Sequence, residues 1–218
     1  MKNPFPRGRL GMALLAALAI SGALGGCATV VVGAAAQGAM LAVDRRSTGA
    51  QVDDQTIEVK ASSAVVAAVG DKPHVSVTSY NKVVLLTGEV PTEADRAKVE
   101  AAVAKVENVR AVLNELGVMP NASLNQITAD SITTGKVKAA FIDTPQLQTA
   151  SIKVVTDRGV VFLMGRVTDA ESTLAGNSAR SVGGVKKVVK AFEIITPAEL
   201  AALPLPPTPD APASAPKK

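Results

Sequence analysis

The side chains that most often carry chemistry are scarce in this chain. Its 218 residues include one cysteine, Cys27, and one histidine, His74. A zinc site of the Cys/His kind cannot be assembled from that pair, and a single thiol allows no disulfide within the chain. A nucleophile activated by imidazole would have to use His74 alone. That residue follows Pro73 and opens an apolar alternation, where an exposed polar strand end is the simpler account. Gly183-Gly184 falls between a helical and a strand pattern, where a turn after the helix suffices and no phosphate cradle is needed. The carboxylates of Asp53 and Asp54 precede a helical pattern, where acids cap N–H groups and complement the dipole. No catalytic residue, metal ligand or cofactor is therefore expected.

The chemistry open to Cys27 is covalent attachment of lipid. Lys2, Arg7 and Arg9 form a short basic stretch, residues 10–24 are almost wholly apolar, and small residues follow. That order is the layout of a secretory signal, and the run is short of the ~20 residues a membrane-spanning helix needs. The tetrapeptide LGGC at 24–27 resembles the lipobox of bacterial lipoproteins, with Gly25 where Ala or Ser is usual. The resemblance implies a diacylglyceryl thioether on Cys27 and acylation (palmitate or similar) of the new N-terminus. Several chains anchor durably where one does not. With Ala28 after the cysteine, the resemblance further implies the outer membrane, facing the periplasm. The alternatives are an ordinary buried thiol and an uncleaved anchor helix.

Composition narrows the partners. Aromatic residues make up 2% of the chain and Trp is absent, so stacking platforms for single-stranded nucleic acid are hard to build. The net charge is +4, but Lys2, Arg7 and Arg9 supply three of those charges, leaving +1 after processing. A general field for nucleic acid is not expected.

The elements that would position any site come in two copies. HVSVTSYNKVVLLTGEV (74–90) lies over SIKVVTDRGVVFLMGRV (151–167), with Gly88 on Gly165 and the apolar positions in phase. After a single-residue gap VRAVLNEL (109–116) lies over VKKVVKAF (185–192), and upstream Asp54 and Lys60 match Asp130 and Lys136. A period of about 76 residues means two small domains and not a solenoid. Each copy reads as helix (about 54–69; 130–142), strand (74–79; 151–156), tight turn, strand (83–90; 160–167), helix (92–106; 169–182) and strand (109–117; 185–194), with Thr92 and Asp169 as N-caps. The expected class is α+β, each unit placing two helices on one face of a three-stranded mixed sheet. Modules this small have small cores, so the two should pack on each other or on a partner. The chain then divides into a signal (1–26), a lipidated lead (27–51), a first domain (52–118), a linker (119–128), a second domain (129–195) and a Pro-rich disordered tail (196–218).

An α-β-β-α-β unit with Gly in its second strand (LLTGEV, FLMGRV) resembles the BON domain. Two such units behind a lipobox resemble the DolP-type outer-membrane lipoproteins of Gram-negative bacteria. DRRSTGAQVDDQTIEVK (44–60), GVVFLMGRVTDAE and GVKKVVKAF are similar to stretches of that family, and the match spans about 40–195. It implies that Gly88 and Gly165 are structural hallmarks. It also implies that the first helix of the second domain binds anionic phospholipid, and that the protein supports envelope integrity and stress tolerance. The family's exposed aromatic corresponds here to Ile132.

Charge singles out the same domain. The first carries seven bases against ten acids, net −3, and the second nine against six, net +3. On the helix DSITTGKVKAAFI, Thr133, Val137 and Phe141 form one stripe, which should face the core. The opposite face carries Ile132, Ala139 and Ile142 flanked by Lys136 and Lys138, which suits insertion among anionic headgroups. The equivalent face of the first domain carries Glu58, which opposes that contact. Two alternatives stay open: Ile132 packs against the first domain, or the protein is an adaptor for an envelope assembly or division partner. For a hydrolase the sequence offers no supporting constellation.

Overall fold

The computed structural model describes residues 44–203, so the signal, Cys27 and most of the lead lie outside the described residues, as does the tail from 204 onward. Helix α1 (Thr48–Val69) begins six residues earlier than its apolar pattern shows, because the Ser47 hydroxyl accepts the Ala50 N–H and caps it. Strands β1 (Val75–Tyr80) and β2 (Val83–Val90) pair antiparallel. Asn81 and Lys82, both at positive φ, make the two-residue turn between them, the backbone that matches strand twist. Helix α2 (Glu93–Val103) follows its Thr92 cap. The last strand of the first copy is broken into β3 (Ala111–Asn114) and β4 (Gly117–Val118), both parallel to β2, so this sheet has four strands. The break has a local cause: the Asn114 side chain turns back to accept the Leu116 N–H at 3.2 Å, and Leu116 is buried in the core.

In the second copy α3 (Leu124–Ile142) also starts six residues early, at a Ser123 cap inside the expected linker. A 3-10 turn (Thr149–Ser151) leads to β5 (Ile152–Asp157) and β6 (Val160–Val167), joined through Arg158 and Gly159 at positive φ. Helix α4 (Asp169–Arg180) is capped by Thr168, not by Asp169, with Glu171 closing a capping box. Strand β7 (Lys187–Ile194) runs unbroken and parallel to β6. A short helix α5 (Pro197–Ala201) stands where an extended tail was expected, because Thr196 and Glu199 form a second capping box and Pro197 takes the first turn, where no N–H is needed.

Each domain has its own core between helices and sheet. In the first, Ile57, Ala61 and Val65 meet Val84, Leu86, Val99 and Val103; in the second, Val137 and Phe141 meet Val161, Leu163, Ala175 and Ala179. A third cluster, Tyr80 and Leu85 with Phe162 and Met164, joins the other faces of the two sheets. The helices therefore lie outward on both sides, and β2 and β6 are largely buried on both faces. Packing on each other is how the two modules gain the burial that each lacks alone.

The repeat also shows which residues hold the fold. Asp54 lies in the second turn of α1 and not before the helix. Its carboxylate accepts the Asn81 and Lys82 N–H groups at 2.7 and 2.8 Å, while Asp130 on α3 does the same for Arg158 and Gly159. Burial pushes the Asp54 carboxyl up, but the bonds from Lys82, Ser79, Arg46 and Asn81 outweigh it and hold the group below its ordinary value. The mid-strand glycines lie against backbone: a Cβ on Gly88 would stand 1.9 Å from the His74 carbonyl oxygen, and one on Gly165 2.4 Å from that of Ser151.

Contacts across the seam are reciprocal. The Tyr80 hydroxyl donates to the Ser151 carbonyl, and Asp157, its counterpart, accepts from Gly88 N–H. Arg158 donates to the fully buried Glu89. Lys153 reaches Glu58, and Glu193 gathers Asn81, Arg110 and Arg166. Residues 44–46 sit on this seam as part of the fold. Arg45 makes a bidentate pair with Glu171 of the second domain at 2.7 and 2.8 Å. Arg46 pairs with Asp54 of the first at 2.7 Å and stacks 4.4 Å over the Tyr80 ring. Among the described residues no helix is long and apolar enough to cross a membrane.

Candidate functional site

The outer face of α3 is where sequence and structure meet. Thr133, Val137 and Phe141 are buried as expected, and Ile132, Lys136, Lys138, Ala139 and Ile142 are all exposed. Ile132 is 55% exposed and so does not pack against the first domain. The early start of α3 adds a residue the pattern missed, Leu124, 81% exposed; the signal for it was Ser123 with Gln126 three residues on.

Leu124, Thr128, Ile132, Gly135, Ala139 and Ile142 fall within about 80° of arc, a strip ~27 Å long at 1.5 Å per residue. Thr128 uses its hydroxyl on the Leu124 carbonyl at 2.9 Å, so the helix itself satisfies the polar group. Lys136 and Lys138 stand about 40° outside the strip, one on each side, and neither meets a carboxylate among the described residues.

The matching face of α1 differs in an unexpected way. Val52, Val59 and Val66 are more than half exposed, so apolar exposure is common to both domains. Glu58 is not free on that face: it takes the Ser79 N–H and Lys153. What separates the faces is Lys60, the counterpart of Lys136, which is paired with Glu107 at 2.8 Å.

A cleft of about 290 Å³ between the domains is lined by His74, Ser76, Thr87, Asp130, Thr134 and Asp157. Its acids are engaged in the fold, Asp130 on the turn and Asp157 on Gly88. Burial raises the Asp157 carboxyl above its ordinary value, and the neighbouring Glu89 and Asp130 add to the shift. His74 Nδ1 lies 3.4 Å from Glu89 Oε2. No group of three metal-ligating side chains converges among the described residues.

Comparison with known proteins agrees with this architecture. The family model described as "BON domain" matches residues 53–120 and again 129–196. The outer membrane lipoprotein DolP of Haemophilus influenzae is 38% identical over 174 residues, covering 79% of this chain and 90% of that one. The 21 kDa hemolysin of Actinobacillus pleuropneumoniae is 32% identical, covering 70% of this chain and 80% of its own length. Osmotically-inducible protein Y of Escherichia coli is 33% identical, covering 63% and 70%.

Proposed function

The chain belongs to the BON-domain family and is a DolP-like dual-BON lipoprotein, and on that premise we propose that it is a non-enzymatic protein of the outer membrane, anchored by lipid on Cys27 and facing the periplasm, whose second domain binds anionic phospholipid and supports envelope integrity. The observation that carries the reading is the α3 face: an exposed apolar strip between two lysines that no described carboxylate neutralises. Each large apolar side chain gains up to ~1.5–3 kcal/mol on full burial, and each lysine ~1 kcal/mol near an anionic surface. That sum gives weak binding, and weak binding suffices for a domain already held at the bilayer by its anchor, where the effective concentration is high.

Flotation with vesicles tests it. The mature chain, produced without lipid, should float with vesicles containing phosphatidylglycerol and not with phosphatidylcholine alone. An Ile132→Asp, Lys136→Glu variant should stay at the bottom in both. If the wild type fails to float with either, the reading is wrong and Cys27 is the sole membrane contact.

A second reading, an adaptor for a protein of the envelope, is favoured by the first domain. Val52, Val59 and Val66 recur at sevens on α1, the spacing of a helix-docking seam. Capture of one stoichiometric partner that survives loss of Lys136 and Lys138 would support it.

A further inference from the structure

The net charges of the two domains part company most sharply at one place, the end of the second helix and the strand that follows it. Through the repeat, positions 100, 104, 107, 111 and 114 correspond to 176, 180, 183, 187 and 190. The first domain has Glu100, Ala104, Glu107, Ala111 and Asn114; the second has Gly176, Arg180, Gly183, Lys187 and Lys190. Two carboxylates are lost and three cations gained. In the first domain both carboxylates are in use, Glu100 accepting from Asn114 Nδ2 and Glu107 from Lys60 Nζ, each at 2.8 Å. Their counterparts in the second are bare glycine.

The geometry brings Arg180 and Lys190 together. A Cβ on Gly176 would lie 3.3 Å from Lys190 Cδ and 3.5 Å from Arg180 Nη1, so both side chains lie across the same glycine. Beside them is a notch of about 380 Å³ lined by Arg180, Val185, Lys186, Lys187 and Val188. All four bases are exposed, and none meets a carboxylate among the described residues.

Simpler roles account for part of this. Arg180 complements the C-terminal dipole of α4, and lysines on the edge strand β7 discourage edge-to-edge pairing. Neither explains why both acids are gone or why glycine makes room for two like charges. An anion relieves that repulsion. A guanidinium fork beside flexible ammonium groups suits the tetrahedral oxygens of phosphate.

We propose that the notch between α4 and β7 is a binding site for a phosphate group, carried either by a lipid headgroup or by a small soluble phosphate, and that it is separate from the apolar strip of α3. The mature chain, produced without lipid, is titrated with inorganic phosphate and with glycerol 3-phosphate, against sodium chloride of equal ionic strength, while amide resonances are followed. Phosphate should give saturable shifts at Gly176, Arg180 and 185–190. A triple variant carrying the first domain's own residues, Arg180→Ala, Lys187→Ala, Lys190→Asn, should bind at least about tenfold more weakly with an unchanged far-UV spectrum.

Vesicles of phosphatidylglycerol and phosphatidylcholine then identify the source. Reduced flotation of the triple variant assigns the site to headgroups; flotation equal to wild type, with phosphate binding lost, assigns it to a soluble phosphate. Shifts reproduced by chloride, or a triple variant that titrates like the wild type, overturn the proposal. Ile132→Asp should lose vesicles and keep the phosphate titration, so failure of the α3 reading is seen separately.

Discussion

In the first domain Lys60 is tied to Glu107 and Glu100 to Asn114; in the second the same places hold Lys136, Gly183, Gly176 and Lys190, with no acid among them. The residues that frame the fold agree. Ser47 and Ser123 cap the first helices, Asp54 and Asp130 hold the hairpin turns, and Gly88 and Gly165 lie against a carbonyl. Two copies of one fold in one chain act as each other's control. Positions alike in both serve the architecture they share, and positions that differ are free to serve what each domain does alone.

The strongest test of that division is the glycine pair. Gly88→Ala and Gly165→Ala should each cost about 3–4 kcal/mol in urea unfolding followed by circular dichroism. Gly88→Ala should be the worse, because its φ of +106° adds backbone strain to the shorter contact. The reverse ranking would mean that the seam, and not the strand, sets the cost.

The aspartates come next. Asp54→Asn should cost about 2–3 kcal/mol and Asp130→Asn about 1–2, since Asp54 also serves Arg46 and Ser79. The folded value of Asp54 lies below its unfolded one, so its stabilisation is present above about pH 4 and lost as pH falls through the folded value. The gap between wild type and Asp54→Asn should accordingly close on acidification.

Gly183→Glu returns to the second domain the acid that the first has. Its Cβ meets open space, so stability should hold while affinity for anionic vesicles falls about fivefold, the worth of one lysine at the surface. Unchanged affinity would detach Lys136 from membrane contact.

The smallest effect is expected at Asp157. Its folded value is raised, so its contribution is present below about pH 4 and lost as pH rises through the folded value. Asp157→Asn keeps an acceptor for Gly88 N–H and should gain up to about 1 kcal/mol at pH 7, with no gain at pH 3.

Much of the fold was legible because periods of two and near four alternate cleanly twice over. Sequence placed the Gly88/Gly165 pair and the stripe Thr133, Val137, Phe141 directly. The early turns of α1 and α3 were not legible, since 44–51 and 119–128 are polar or irregular and are held by caps and by Arg46 on Asp54. Leu124 was lost with them. VVLL and VVFLM did carry the news that both sheet faces are buried, but a run without alternation does not say against what. The break at Asn114 depends on its own side chain. Charge counts set the domains apart, but which lysines are neutralised was hidden: Lys60 and Glu107 are 47 positions apart and meet only once α1 lies beside α2.

Arg45 and Arg46 are neighbours in the chain, yet one is fastened to Glu171 of the second domain and the other to Asp54 of the first. For a body anchored at Cys27, as proposed above, this would act as a strain relief. Tension arriving at residue 44 divides between two charge-assisted clamps before it reaches the first turn of α1, and it draws the two sheets as one load. A single clamp would let that helix peel away and open the seam by degrees.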